Sequence, residues 1–234
     1  MKNLFLIDAS GYIHSAFWAL PQTLKNPDGI IINAVYGYCN AIIDLYQKNK
    51  PEQIIAVFDT KAKTFREKIY KPYKANREEP DPLLIPQFPI VREATDALGI
   101  PRIEVDGYEA DDIIATYTKQ AEKNDVTVTI VSRDKDLMQL VNERTKMYDP
   151  IKKKIIGIEE VKEKFGVHPS EMIDLQALMG DSADNIPGVP GIGPKTGVEL
   201  IKRFKNLENL LSNTDKIKEE KRRQKLIDDK DKAL

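Results

Sequence analysis

LFLID, residues 4–8, is an apolar run closed by an aspartate, and the same pattern returns in IIAVFD at 54–59. VTVTIVS at 126–132 is rich in β-branched residues, with Asp134 just beyond it. Runs this short and this apolar read as buried strands. IPRIEV at 100–105 is a weaker, edge-like candidate. Helical periodicity fills the intervals. It covers 10–20, with Ser10 as the expected N-cap, and 33–48, with apolar positions at Val35, Tyr38, Ile42, Leu45 and Tyr46. It covers 109–122 and 134–141 as well. Strands alternating with helices predict an α/β domain whose mostly parallel sheet is flanked by helices.

The chain has 234 residues, 41% hydrophobic and 31% charged, which excludes global disorder and leaves room for one sizeable domain with a small appended module. The first apolar run, Leu4 to Ile7, is too short for a signal peptide or a membrane span, so no membrane partner is expected. The single cysteine, Cys39, excludes an internal disulfide and is expected to be a buried structural thiol in a cytoplasmic protein. Net charge is −1, but its distribution is uneven. Residues 61–77, KAKTFREKIYKPYKANR, carry seven Lys or Arg and one Glu, and from Lys202 onward eleven bases stand against seven acids. Acids concentrate between these stretches, as suits a metal site that handles a polyanion. Residues 60–90 turn from basic to acidic to proline-rich (Pro80, Pro82, Pro86, Pro89) and are expected to form a functional loop. After 158 the pattern is helical, interrupted by NIPGVPGIGPKT (185–196) and followed by an amphipathic helix with Val198, Leu200, Ile201 and Phe204. The expected division is 1–157 and 158–234.

Asp8, Asp59 and Asp134 each follow an apolar strand, and the carboxyl ends of parallel strands form the ligand crevice of an open sheet. GYEADD adds Glu109, Asp111 and Asp112 where a helix begins. Acids are favoured at a helix N-terminus, but three in four residues exceed what a cap needs. Asp136 follows Asp134 by two, and Asp181 and Asp184, three apart in MGDSADN, are expected on one helical face. Two carboxylates ~4 Å apart repel by about 4 kcal/mol at an effective dielectric of ~20, so a converging set calls for counter-ions. Hard oxygen donors with no histidine among them suit magnesium, with manganese as a substitute. DKDLMQL lacks the glycine and later ligands of a calcium EF-hand. His14 and His168 lie in no zinc or nucleophile motif and read as structural. Metal-assisted hydrolysis remains, with paired ions activating water and stabilising the leaving oxygen. For any one acid a solvated surface position is the ordinary reading; for the whole set, placed at strand ends and helix starts, it is metal binding.

LFLIDASGYIHSAFWAL, AVFDT, TFREKIYKPYKANR, GYEADDIIA, SRDKDLMQLV and MGDSADNIPGVPGIGPKTG resemble, in order and over essentially the whole chain, the 5′–3′ exonuclease and flap endonuclease family. Within it they are most similar to the N-terminal 5′ nuclease domain of bacterial DNA polymerase I. The resemblance implies a PIN-like fold with a helical arch at about 60–90 and a helix-hairpin-helix at 185–205. It implies a tighter metal site at Asp8, Asp59, Glu109, Asp111 and Asp134, and a second at Asp136, Asp181 and Asp184, with Asp112 between. Three features depart from the family pattern: Arg133 and Gly197 stand where a small or neutral residue and an alanine are common, and the chain stops soon after the hairpin.

The hairpin string has a physical reading of its own. Closely spaced glycines let backbone N–H groups face a phosphate, and Lys195 and Thr196 at the next helix start add charge, donors and a favourable dipole. Against an ordinary Gly/Pro turn, the resemblance implies sequence-independent duplex binding through Gly191, Gly193, Lys195 and Thr196, and a potassium ion on the carbonyls of Val189 and Ile192. A charge run is most often a solvated face, but aromatics interleave with the bases of 61–77: Phe65, Tyr70 and Tyr73. Single strands are held by basic tracks plus stacking aromatics. The resemblance puts Arg66, Lys74 and Arg77 at the scissile region, Lys74 and Arg77 as the catalytic cations, and Tyr73 against a base. It implies a monomeric nuclease acting on 5′ flaps, overhangs, nicks and gaps in primer removal and repair, with a polymerase domain in a parent protein. Two rivals stand beside it, a non-catalytic DNA-junction binder and a PIN-type ribonuclease.

Overall fold

The computed structural model describes residues 2–233, and the chain divides into two compact units. The first contains the described residues up to Phe65 together with Glu79–Gly157; the second contains Arg66–Glu78 and the residues from Ile158 onward. In chain order the elements up to Gly157 are β1 (Asn3–Asp8), α1 (Ala9–Ala19), α2 (Asn33–Asn49), β2 (Gln53–Val57), the short α3 (Phe65–Ile69), α4 (Gln87–Ala97), β3 (Arg102–Ile103), α5 (Ala110–Lys123), β4 (Thr127–Val131), β5 (Thr145–Asp149) and β6 (Lys154–Ile156).

The first unit is built on one six-stranded sheet of order β3-β2-β1-β4-β5-β6, parallel except for β6. Strand direction of travel reverses beside β1, whose neighbours are β2 and β4. Side chains alternate across the sheet. Phe5 and Ile7 enter a cluster with Ile13, Phe17, Tyr38, Ile42, Leu45 and Val91 of α1, α2 and α4. Leu6 and Ile130, fully buried, belong to the strands on which α5 packs. Strands covered on both faces lose their polar alternation, which is why β1, β2 and β4 stand out as apolar runs.

Five expectations are corrected in this unit. The sheet has two further strands, β5 and β6, whose Lys146 and Lys154 face solvent at the sheet margin and mask the pattern. The helix expected at 134–141 is a single 3₁₀ segment, Asp136–Leu140. The irregular stretch expected through 90 ends early, because Pro89 sits in the first turn of α4, where a missing N–H costs nothing. Asp8, not Ser10, caps α1, because β1 runs into α1 without a loop and the Asp8 carboxylate accepts from Gly11 N–H at 3.1 Å. Cys39 is half-buried against the core rather than enclosed by it.

The second unit contains α6 (Ile158–Phe165), α7 (Met172–Met179), β7 (Gly180–Asp181), β8 (Ile186–Pro187), α8 (Pro194–Phe204), α9 (Leu207–Ser212), α10 (Glu220–Asp228) and α11 (Lys230–Ala233). Leu200, Ile201 and Phe204 of α8 are buried, as are Leu175 and Leu178 of α7 and Leu226 of α10. Each such side chain contributes about 1.5–3 kcal/mol by leaving water. The helical tail is not wholly helical. β7 and β8 pair antiparallel, and a Cβ on Gly188 would lie 2.2 Å from the Met179 carbonyl carbon. The glycines at 180 and 188 therefore serve a backbone-to-backbone approach. Gly197 is explained similarly: an alanine there would meet Leu175 Cδ1 at 2.8 Å, so α7 and α8 are set by the missing methyl. No helix among the described residues is long and apolar enough to cross a membrane.

Candidate active site

The acids of the first unit gather at the carboxyl ends of its strands. Asp8, at the end of β1, is buried. Burial pushes its carboxyl up from the ordinary aspartate range; the Gly11 amide and Ser132 hydroxyl pull it down, and nearby Asp59 and Asp134 push it further up. The last two effects place acids from three strand ends within electrostatic reach of one another, beside the point where strand order reverses. Ser132 Oγ donates to Asp8 Oδ2 at 2.7 Å and accepts from Asp134 N–H at 3.0 Å, tying the end of β1 to the turn after β4. Asp136 N–H donates to Asp134 Oδ1 at 2.8 Å. Asp59 accepts from Ser10 Oγ at 2.6 Å and from Ala110 N–H at 2.8 Å, which fixes it against the start of α5. There Asp111 and Asp112 lie in the first turn; Asp112 accepts from Glu109 N–H at 3.0 Å and the Glu109 side chain accepts in return from the Asp112 amide, a reciprocal capping box.

These acids are held by protein donors rather than packed as a ready cage, and among the described residues no three Asp, Glu, His or Cys side chains are close enough to form one. The donor chemistry still fits a hard divalent ion: His14 meets Phe88 edge-on at 6.0 Å and His168 accepts from Ser170 N–H at 3.3 Å, leaving carboxylate oxygens as the candidate ligands. Three contributors escaped the sequence reading. Ser132 and Ser10 are hydroxyls flanking the acids in VSRD and IDAS. Arg92 donates to the Asp59 carbonyl at 2.9 Å and to Glu104 at 3.0 Å while lying over the Phe58 ring at 4.9 Å, so it pins the turn that carries Asp59. A fourth, Gly11, lies so near Asp8 that a Cβ would stand 2.8 Å from Oδ2.

In the second unit Asp181 and Asp184 do not share a helical face. Asp181 ends β7 and accepts from Ala183 N–H at 2.9 Å; Asp184 lies in the turn before β8. The β-ribbon forced by the two glycines replaces the helix that three-residue spacing suggested. The YKANR segment packs on this turn. Lys74 N–H donates to the Asp184 carbonyl at 2.9 Å, Asn76 Nδ2 to the Ser182 carbonyl at 2.8 Å, and Asn185 Nδ2 to the Pro72 carbonyl at 2.7 Å. Arg77 pairs with Asp184 Oδ1, and Tyr73 hydroxyl donates to Oδ2 at 3.2 Å. Tyr73 is buried, so the expectation that it stacks on a base is corrected: its ring is internal and its hydroxyl holds an acid. Arg66 and Tyr70 are half-buried and joined, Tyr70 N–H to Arg66 carbonyl at 2.8 Å.

At the hairpin, Val189 and Ile192 are buried anchors, and Ile192 N–H donates to the Val189 carbonyl at 3.0 Å. Gly191 has φ +82°, where a side chain is strained, whereas Gly193 caps α8 with open space where a Cβ would stand. Lys195 is exposed and Thr196 half-buried in the first turn of α8. A residue not foreseen, Lys225 of α10, brings its ammonium to the turn, 2.8 Å from where a Gly191 Cβ would be. No local motif marks it, because thirty-odd residues of chain separate it from the hairpin.

The family model described as 5′-3′ exonuclease, N-terminal resolvase-like domain, matches residues 3–166, and that described as 5′-3′ exonuclease, C-terminal SAM fold, matches 167–234. A DNA polymerase I of Rhizobium leguminosarum is 51% identical over 96% of this chain, which spans 23% of that protein's length. A 5′-3′ exonuclease of Aquifex aeolicus is 41% identical over 94% of this chain and 76% of its own length. The bacteriophage T5 flap endonuclease, solved as a pseudo-enzyme-product complex with DNA and metal ions, shares the fold with TM-score 0.82 at 24% identity, covering 99% of this chain and 86% of that one. With both domain models matched in order and the strand-end acids in place, this chain belongs to the 5′-3′ exonuclease family.

Proposed function

We propose that the chain is a structure-specific, magnesium-dependent 5′ nuclease that hydrolyses DNA phosphodiester bonds at 5′ flaps, overhangs, nicks and gaps, leaving a 5′-phosphate and a 3′-hydroxyl, in primer removal and repair. The observation that carries the proposal is the linking of acids at neighbouring strand ends: Ser132 ties Asp8 to the turn of Asp134, and Asp59 is fixed against the start of α5, where Asp111 and Asp112 lie. Asp8, Asp59, Glu109, Asp111, Asp112, Asp134 and Asp136 are the ligands that the first unit offers to divalent ions, and Asp181 is the ligand proposed in the second. When bound, two such ions supply an activated water and stabilise the leaving oxygen. The chain's own groups do the rest. Ser132, Ser10 and the Ala110 amide hold the carboxylates in orientation. Lys74 and Arg77 are proposed to face the phosphate whose negative charge grows as the bond breaks. Gly193, Lys195, Thr196 and Lys225 are proposed to grip duplex backbone without reading bases, with potassium on the Val189 and Ile192 carbonyls. The names of the relatives, DNA polymerase I and 5′-3′ exonuclease, support a nuclease domain that also occurs beside a polymerase.

The test compares 5′-flap DNA with the same flap in RNA, in magnesium and in chelator. Magnesium-dependent cutting of the DNA flap alone is expected. Tight binding with no cutting would point to a junction binder, and preferential cutting of RNA to a ribonuclease.

A further inference from the structure

We infer that Asp184 is a positioning residue, which anchors the YKANR segment and orients Lys74 and Arg77, and that it is not a metal ligand. The inference rests on the proposed nuclease reading and withdraws Asp184 from the ligand set that the sequence resemblance implies. Its carboxylate is 11% exposed and engaged at both oxygens, by the Arg77 guanidinium at Oδ1 and by the Tyr73 hydroxyl at Oδ2, 3.2 Å away. The Lys74 ammonium stands 3.9 Å from the same Oδ2. Two cations thus share one buried anion. A divalent ion on that carboxylate would sit beside both and be repelled by both. Asp181, at the end of β7, accepts from Ala183 N–H at 2.9 Å.

The backbone follows the same design. Lys74 and Asn185 both take left-handed conformations, φ 55° and 58°, which residues with a Cβ adopt only when their surroundings insist. What insists is the reciprocal set of bonds: Lys74 N–H to the Asp184 carbonyl, Asn185 Nδ2 to the Pro72 carbonyl and Asn76 Nδ2 to the Ser182 carbonyl. The turn 181–185 and the segment 72–77 therefore form one clasp, with Asp184 contributing both its carbonyl and its carboxylate. Lys74, stacked over the Tyr73 ring at 5.0 Å, is presented in one orientation, and a charge fixed in place stabilises a transition state more than a mobile one does.

The experiment measures four quantities on the full chain: manganese affinity, single-turnover cleavage of 5′-flap DNA in magnesium, flap affinity in calcium, and amide exchange of residues 72–77. Asp184→Ala should slow cleavage about 100-fold, the scale of a misplaced group. It should leave manganese and flap affinities within about threefold, and deprotect the 72–77 amides. Asp184→Asn, which keeps an acceptor for Arg77 and Tyr73, should recover most of the rate and the protection. In a Lys74→Ala/Arg77→Ala background Asp184→Ala should cost less than about threefold more, the signature of coupled residues. Asp181→Ala, by contrast, should weaken manganese binding. Loss of manganese affinity in both Asp184 variants, or a cost that adds fully in the double-mutant background, overturns the inference. Failure of the unsubstituted chain to cut any flap sinks the nuclease proposal instead, and the exchange and manganese arms still decide the clasp. Should Asp184→Ala not fold, Asp184→Asn and Arg77→Ala supply the same comparisons.

Discussion

Replacing Lys74 by alanine and, in a second protein, by glycine separates what the ammonium does from what the backbone does. Lys74 holds φ at 55°, a conformation that costs a residue with a Cβ about 1–2 kcal/mol. Its ammonium lies 3.9 Å from Asp184 Oδ2 and 5.0 Å from the Tyr73 ring centroid. Each contact is worth no more than about 1 kcal/mol at a partly exposed position. Alanine removes the ammonium and keeps the backbone cost. Glycine removes both, less about 0.4–1 kcal/mol for the freer unfolded chain. The glycine variant should therefore be more stable than the alanine variant by about 0.5–1 kcal/mol, a rise in Tm of roughly 1–4 °C. Cleavage should not follow that difference. A cation set against phosphoryl oxygens is worth ~100-fold in rate, and both variants lack it. Single-turnover cleavage of a 5′-flap DNA in magnesium should fall by that factor in both, while affinity in calcium changes little because many other bases hold the backbone. Lys61→Ala, exposed in the same basic run, controls for a diffuse charged surface. A glycine variant that recovered the rate would make the role of Lys74 conformational, and equal, small losses in Lys74→Ala and Lys61→Ala would remove it from the active site.

Gly193→Val introduces a side chain whose Cβ has open space around it, at extended backbone. Duplex affinity by anisotropy should drop at least about tenfold, equally on unrelated sequences; unchanged affinity would take Gly193 out of the interface. Lys225→Ala should weaken duplex binding and lower the log–log salt slope by about one, and an unaltered slope would show that its ammonium meets no phosphate. The Asp8 carboxyl, raised by burial and then by its acidic neighbours, keeps its proton in the folded chain above the unfolded value of about 3.9. Stability tied to that proton is fully present below the unfolded value and is lost as pH rises through the folded one. Without divalent ions, Asp8→Asn should melt above the unsubstituted chain at neutral pH and converge with it toward about pH 4; a gap constant across pH would reject the titration.

The strands that carry the acids were legible because burial on both faces strips them of polar alternation: Leu4–Ile7 and Val128–Val131 can hardly be anything else. β5 and β6 were not, because Lys146 and Lys154 at the sheet margin break the run. Candidate metal acids were visible from type and place, since each follows a strand or opens a helix. Their relation to one another was less so: the three-residue spacing of Asp181 and Asp184 suggested a helix, and only the close approach of Gly180 and Gly188 shows why the chain turns there instead. Tyr73 looked like a stacking platform because it sits among bases, yet its hydroxyl contact with Asp184 spans 111 residues. Ser132, Arg92 and Lys225 share that difficulty: each acts on a partner distant in sequence, and no local pattern announces it.

The central claim, that these acids make a metal-dependent 5′ nuclease, is tested most directly by mapping both products of a doubly labelled 5′-flap DNA. With magnesium present, cutting near the junction should release the flap with a 3′-hydroxyl and leave a duplex bearing a 5′-phosphate that a ligase can seal; Asp59→Ala should abolish both products. Products ending in 3′-phosphate, cutting that persists in chelator, or full activity in Asp59→Ala would contradict the account.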